Sequence, residues 1–523
     1  VYVDAVYGKT VGEVENFVGP YSDLNDAATA ASSAAGPNKI ITVYVRPGSY
    51  STNQTISRDY INWYFEEGSV VNYTGTTTLF DITTNGYDIR GYGVFQSISG
   101  SSIFSIGVST NNYNIEGKSA TISPTAFTQN TYVVNVNNGT GKISIKFETI
   151  SLTTESIINT TSDNSFAAIN ILSPNVEVNV NNILIYLPNT TVTTGRFVSL
   201  NISLPSSPSG NSVIVNSNII SLVIKSFNST LGGTVNTGVT PSTTCYLITT
   251  LIVGLSNLPV TINCSLIYLL TNDITPNTTT GHEVYALACY MSIVNINVKS
   301  IFLIFSQNDL NPTINFDTVL TPIAVPTIRS TSVYSCSLIM RLCYANVNVN
   351  LIYLNGSTLE NLLRLFCVYF VNTNVNLTCC SIIFPLSKNS STMRTVIASV
   401  GNKYTILNID SVYTNIYSVV SSTSNIIISI NTNCSLSVNL VSFTYSTIDS
   451  NTIYVVNPIG FPVSVRINTL IAIFPDNSSA GNKTCVYSNT GQKYISINNL
   501  SMTGKCNAMY LSGTTYVTLN NLN

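Results

Sequence analysis

The chain has 523 residues, 44% of them hydrophobic, with only 8% charged and a formal net charge of −2. That length supports a sizeable core, while the charged share is about a third of the usual one. With no basic stripe there is no electrostatic footprint for nucleic acid, so nucleic-acid partners are excluded. Polarity comes instead from Ser, Thr and 65 Asn residues, interleaved with Ile, Val, Leu, Tyr and Phe along the whole length, which excludes a disordered chain. No apolar run reaches the roughly 18 residues of a spanning helix. The nearest, CYLITTLIVGL at 245–255, is too short and rich in β-branched residues, so membrane insertion is not expected. The opening VYVDAVYGKT lacks the basic start and apolar middle of a signal peptide.

In chain order, YSDLNDAATAASSA at 21–34 reads as a short helix, followed by strands in ITVYVRPGSYS at 41–51 and YINWYFEEGSVV at 60–71. Within the latter, Glu66-Glu67 reads as an exposed turn. Further short runs follow in Phe80-Asp-Ile, YDIRGYGVF at 87–95, Ile103-Phe-Ser-Ile and YNIEGKSATIS at 113–123. These residues, above all the helix and then Arg46-Pro47-Gly48-Ser49-Tyr50 between short strands ending in Gly, resemble the opening of pectin-lyase-like right-handed parallel β-helices, including viral tailspikes. The resemblance implies an all-β fold: a right-handed single-stranded parallel β-helix, a solenoid of about 15 coils of three short strands, with an N-terminal helix capping the open end. The expected organisation is an N-terminal segment and capping helix over 1–36, first coils over 37–142 and the main β-helix over 143–523.

From residue 143 a ten-residue template recurs: apolar, x, apolar, x, apolar, x, x, apolar, x, apolar. Copies start at Ile143, Val176, Val213, Val260, Val294, Ala345, Thr373, Thr405, Leu436, Val463, Lys493 and Thr515. Period-2 alternation marks a strand with one face inward. The two-residue interruption shifts the phase, so the chain turns a corner and keeps its apolar face inside. Between copies lie shorter apolar runs that read as the third side of each coil: CYLITT at 245–250, VYALACY at 284–290, VYSCSLIMR at 333–341, LFCVYF at 365–370, IYVV at 453–456, CVYS at 485–488 and MYLS at 509–512. PNTTVTTG at 188–195, NDITPNTTTG at 272–281 and NSSAGNK at 477–483 read as surface loops.

The fourth template position carries Asn179, Asn216, Asn263, Asn297, Asn348, Asn376, Asn408 and Asn439. Asn is poor in ordinary strands, but stacked coils place equivalent positions about 4.8 Å apart, where amides hydrogen-bond up a column as in cross-β ladders. A structural Asn ladder is therefore expected at these eight positions. All eleven Cys lie at or after Cys245, without metal-ligand spacing, and several sit in apolar runs. They read as buried thiols, favouring assembly in a reducing compartment. The sixteen Asn-x-Ser/Thr sequons follow from composition and imply no glycosylation.

Members of the resembled superfamily that cut polysaccharides use clustered carboxylates, and polygalacturonase-type members add a Gly-His-Gly motif. The only histidine, His282, sits in Gly281-His282-Glu283 within an expected polar loop, without that motif. Beyond residue 200 only eight acidic residues occur, among them Asp273, Glu283, Asp309, Asp317 and Asp410. The best carboxylate neighbourhood is Glu148, Glu155, Asp163 and Glu177, with Glu148 and Glu177 placed within several ångströms of one another if adjacent coils bring them together. These two are weak candidates only. No catalytic residue, metal site or cofactor is expected. The sequence points to a structural or adhesive virion-surface protein, a spike or fibre of a large DNA virus or phage, with host-surface or glycan attachment. A homo-oligomer is expected, a trimer favoured, beside other virion surface proteins. The alternatives are a polysaccharide-degrading tailspike or secreted enzyme, a lyase or glycoside hydrolase, and a secreted bacterial β-helix adhesin. The final run, Thr515-YVTLNNLN, reads as the start of a further copy whose open edge another domain or subunit covers.

Overall fold

In the computed structural model, the described residues are 1–523 apart from 11–17, 83–87, 99–101, 108–111, 125–128, 138, 140, 155–164, 193–195, 205–211, 230–245, 255–257, 277–281, 291, 306–332, 342–343, 356–363, 370–376, 379–380, 386–394, 401–404, 417–424, 431–433, 446–451, 459–461, 477–482, 489–492 and 513–514. Two compact units emerge: one of residues 1–223 with 251–265, the other of residues 224–250 with 266–523. The described chain is all-β with parallel sheets and one α-helix.

In the first unit, the helix Leu24–Ala34 starts where the Asp23 carboxylate accepts the backbone N–H groups of Asn25 and Asp26 at 2.7 and 3.1 Å, an N-cap. Its face of Leu24, Ala27, Ala28 and Ala31 is buried against the strands Ile41–Val45, Gly48–Thr52 and Ile61–Phe65. Small alanines let it lie close to them. Glu66 and Glu67 form the expected turn, in which the Ser69 N–H donates to the Glu66 carbonyl at 3.1 Å.

The template's corner can be watched forming along this unit. Asp88–Gly91 and Val94–Ser97 are separate strands, with Gly91 between them at φ 103°. Both pair with one strand, Tyr113–Ile122: Ile115 opposite Ile89, then Ser119 opposite Val94. From there on the bend lies inside a continuous strand, and the ladder skips one residue per strand. Phe147 pairs with Val180 and Thr149 with Asn182, which leaves Glu148 and Asn181 at the bend. The skipped residue is what lets Phe147 and Ile150 both face inward. A second set of parallel strands, Thr78–Ile82, Ser102–Ile106, Thr131–Val136, Ser165–Ile171 and Arg196–Ser203, pairs in chain order. Between the two sets, Trp63, Phe65, Phe80, Phe95, Phe104 and Phe147 form one buried aromatic cluster, with centroid separations from 4.9 Å for Phe65–Phe95 to 6.5 Å for Phe95–Phe147.

The second unit repeats the plan. Thr405–Ile416, Cys434–Tyr445, Val463–Ile473, Lys493–Thr503 and Thr515–Leu522 pair successively in parallel, again skipping one residue at the bend: Asp410, Asn439, Asn468, Asn498 and Asn520. The other set includes His282–Tyr290, Val333–Arg341, Arg364–Tyr369, Thr395–Val400, Asn425–Ile430, Ile453–Pro458, Lys483–Ser488 and Asn507–Leu511, which contain the runs expected as the third side.

The register moves two template copies. Asn348 pairs with Thr378, and Thr405 with Cys434, so these copies start two residues later than Thr373 and two earlier than Leu436. A shift of two keeps side chains on their own faces except at the bend, where the inward place passes from Leu440 to Val441, and alternation alone does not distinguish the two registers. Two strands also run further than their apolar patterns: Val176–Val192 and Pro259–Pro276 include the first residues of stretches expected as loops, and Lys483 begins a strand rather than ending a loop.

Candidate functional site

Stacking in register brings outward-facing amides of successive paired strands together. In the first unit the Asn263 Nδ2 donates to Asn216 Oδ1 at 2.8 Å and Asn216 Nδ2 to Asn179 Oδ1 at 2.9 Å. Asn179 Nδ2 in turn donates to Glu177 Oε1 at 3.0 Å, and Lys142 Nζ stands 3.7 Å from Glu177 Oε2. In the second unit Asn348 Nδ2 donates to Asn297 Oδ1 at 2.8 Å. Asn376 lies outside the described residues, and Asn408 stands beside Ser437. Asn439 is not in that column. It occupies the bend, in a ladder that runs from Asn520 to Asn498, Asn468 and Asn439, each step 3.0 Å, and ends on Asp410 Oδ1 at 3.4 Å. The displacement is the two-residue register shift of the Leu436 copy.

A further ladder lies in the other strand set, where Asn201 donates to Asn170 at 2.7 Å and Asn170 to Asn135 at 2.8 Å. The template does not cover it, but the sequence carried a signal: Val134-Asn135-Val136, Ile169-Asn170-Ile171 and Leu200-Asn201-Ile202 share one pattern.

The acidic candidates do not converge. Glu177 sits opposite Ser144, four residues before Glu148 on the same strand, so about 13 Å of strand separates their levels at about 3.3 Å per residue. The expected approach to several ångströms is not made, and two carboxylates that share a glycosidic bond stand about 5–10 Å apart. Glu177 instead holds an amide and an ammonium, while Glu148 is an exposed bend residue. Glu155 and Asp163 lie outside the described residues. His282 opens a strand and pairs with Val333, rather than sitting in a loop. Among the described residues no group of three His, Cys, Asp or Glu side chains could hold a metal ion, and no helix is long and apolar enough to cross a membrane.

Cys264, Cys289, Cys434, Cys485 and Cys506 are in no disulfide; the first four are buried and Cys506 is half-buried. The hydrogen bond between Cys485 and Cys506 pushes the Cys485 thiol up, with burial adding to it, and holds Cys506 below the ordinary thiol range. Cys485 is thus the donor of that pair.

One outer-face groove stands out in the second unit. It encloses about 580 Å³ and is lined by one row at the fourth template position, Asn408, Ser437, Arg466 and Ser496, and by the bend row Asp410, Asn439, Asn468 and Asn498. Ile409, Val438 and Ile467, between the rows, also line it. Arg466 is exposed and has no ion-pair or hydrogen-bond partner among the described residues. Chemically the groove offers amide donors and acceptors, hydroxyls and one cation, with no paired acid and base. Compared with known proteins, the chain matches no family model, no curated protein and no solved structure.

Proposed function

We propose that the chain is a structural and adhesive surface element. In this reading it is a right-handed single-stranded parallel β-helix of about 15 coils of three short strands, carried on a virion as a spike or fibre and attaching to host-surface glycans. A homo-oligomer, with a trimer favoured, beside other virion surface proteins completes the reading. The observation that carries it is the set of amide ladders on outward-facing positions. Each rung spends one N–H and one oxygen lone pair on its neighbours, and keeps a second N–H and further acceptor capacity for a ligand. Such a surface is uncharged, regularly spaced and complementary to hydroxyls. Thiols outside any disulfide fit assembly in a reducing compartment.

The test has two arms. Antibody labelling of particles from the source places the chain on or off the particle surface. The purified chain is also incubated with glycan-bearing host surfaces and with soluble polysaccharides. The expected result is labelled particles, retention on the surface, and polysaccharides of unchanged length. Turnover that shortens a polysaccharide would replace this reading with the enzymatic one, and labelling confined to a secreted fraction would remove the virion.

A further inference from the structure

We infer that the groove of the second unit binds an acidic oligosaccharide, a short chain of neutral sugars with one carboxylated sugar, whose carboxylate is taken by Arg466. This rests on the glycan-attachment reading above and names the ligand class of one site within it. The groove's volume of about 580 Å³ falls in the range of about 300–1,000 Å³ typical of ligand sites. Its long direction follows the stack of coils, which advance about 4.8 Å each, close to the length of one pyranose ring. Successive sugars therefore meet successive coils. Each coil presents the same pair of polar groups: Ser437 with Asn439, Arg466 with Asn468, and Ser496 with Asn498. Ile409, Val438 and Ile467, whose side chains are buried in the core, form the floor between the two rows with their backbone.

The charges give the site a direction. The Asp410 carboxylate is engaged by Asn439 Nδ2 at the end of the bend ladder, so it offers its remaining lone pairs to sugar hydroxyls and repels an acid. Arg466 stands two coils further along the stack with its guanidinium uncommitted, a fork that matches a carboxylate bidentately. The acidic sugar therefore belongs at the Arg466–Ser496 end and neutral sugars at the Asp410 end. A neutral glycan would leave Arg466 solvated and lose this contribution. A chain of consecutive acidic sugars would bring a carboxylate against Asp410.

The experiment titrates the whole chain by calorimetry with sialyllactose, galacturonate trisaccharide and a neutral lactose-based trisaccharide, each acidic probe also as its methyl ester. Binding of sialyllactose, the singly acidic probe, is expected, weakened about tenfold or more by esterification, with the triply acidic galacturonate binding more weakly because a carboxylate meets Asp410. Arg466→Gln should produce the same loss for the acid and almost none for the ester, so that the two changes are not additive. Asn468→Ala should weaken acid and ester alike. Arg466 is exposed on the outer face, and unchanged far-UV circular dichroism checks that its variant folds. Acid binding that survives Arg466→Gln would overturn the groove assignment while leaving glycan attachment standing. Retention on host surfaces stripped of glycans would overturn attachment through glycans, and the calorimetry of isolated probes would still decide the groove. Absence of sialyllactose binding at millimolar concentration would overturn the inference outright.

Discussion

Replacing Asn216 by alanine removes the middle rung of the ladder that runs from Asn263 through Asn216 and Asn179 to Glu177. Two amide–amide hydrogen bonds disappear, each contributing about 1 kcal/mol net. Asn216 is half-buried, so water partly replaces the lost partners of Asn263 and Asn179, and the expected cost is about 1 kcal/mol rather than 2. Each strand pairs with its neighbours in the parallel sheet, so the loss is local, and a global melting midpoint would dilute it. Native-state hydrogen exchange of the strand amides at 176–182 and 213–220 reads it directly: protection there should fall about fivefold, since 1.4 kcal/mol is tenfold. Exchange in the helix Leu24–Ala34 should not change. A double-mutant cycle with Asn179→Ala isolates the coupling. Protection unchanged within about 0.3 kcal/mol, or losses that add fully, would mean that the amides merely share a column and do not support one another.

Lys493 lies fully buried in the column of Val463 and Thr515, with Nζ donating to Ser488 Oγ at 3.1 Å, and burial pushes its pKa below the ordinary lysine value. A depressed folded pKa on a base penalises the charged form, so the penalty is full below the folded pKa and fades as pH rises toward the unfolded value of about 10.4. Lys493→Met should raise the unfolding midpoint near neutral pH by the equivalent of about 1 kcal/mol or more, with the gain shrinking in alkaline denaturation series; a gain independent of pH would refute it. Gly504 holds φ 88° and an added Cβ would lie 1.9 Å from the Phe474 carbonyl oxygen, so Gly504→Ala should destabilise the strands beside it by about 2 kcal/mol or more, seen as faster exchange at 463–473 and 493–503. Iodoacetamide at neutral pH should label Cys506 before Cys485, because Cys506 is the more exposed and its thiolate is favoured by the Cys485 bond. Cys485→Ala should slow that labelling, and labelling of Cys485 first would count against the assigned donor.

What the sequence made legible was the part that alternation encodes. The corner template located the bends because a doubled outward step has no other use in a strand, and the skipped residues Glu148, Asn468 and Asn498 stand where that step is. Register was less legible. Asn439 and Asn376 align by the nearest apolar match, and a two-residue slip preserves the inside–outside assignments except at the bend, where two adjacent apolar residues, Leu440 and Val441, exchange, so the ladder of backbone hydrogen bonds selects the true register. The groove was not legible at all. Asp410 and Arg466 are 56 positions apart in sequence, and only the lengths of two intervening coils place them two rungs apart on one face. Glu177 looked like half of a carboxylate pair because its partner amide, Asn179, had been assigned to the ladder and not to it.

The direction of the ladders explains what the carboxylates are for. In the Asn263 and Asn520 ladders every amide donates toward the earlier coil, and the last N–H meets Glu177 in one and Asp410 in the other. The early strand Asp88–Gly91 has the same arrangement in miniature, with Asn114 Nδ2 donating to Asp88 Oδ1 at 3.0 Å. Aligned amide dipoles add, as peptide dipoles do in a helix, and leave partial positive charge at the donor end. A carboxylate there accepts the terminal N–H and favours that polarity over the reverse, in which an amide oxygen would face the acid. Glu177 and Asp410 therefore reinforce the sense of their columns, a sense that the Asn201–Asn170–Asn135 column also takes without an acid, and a fixed sense decides which amide atoms each rung turns toward a ligand. In the groove beside Asp410, that same carboxylate orders the bend row and leaves Arg466 as the group that selects what binds.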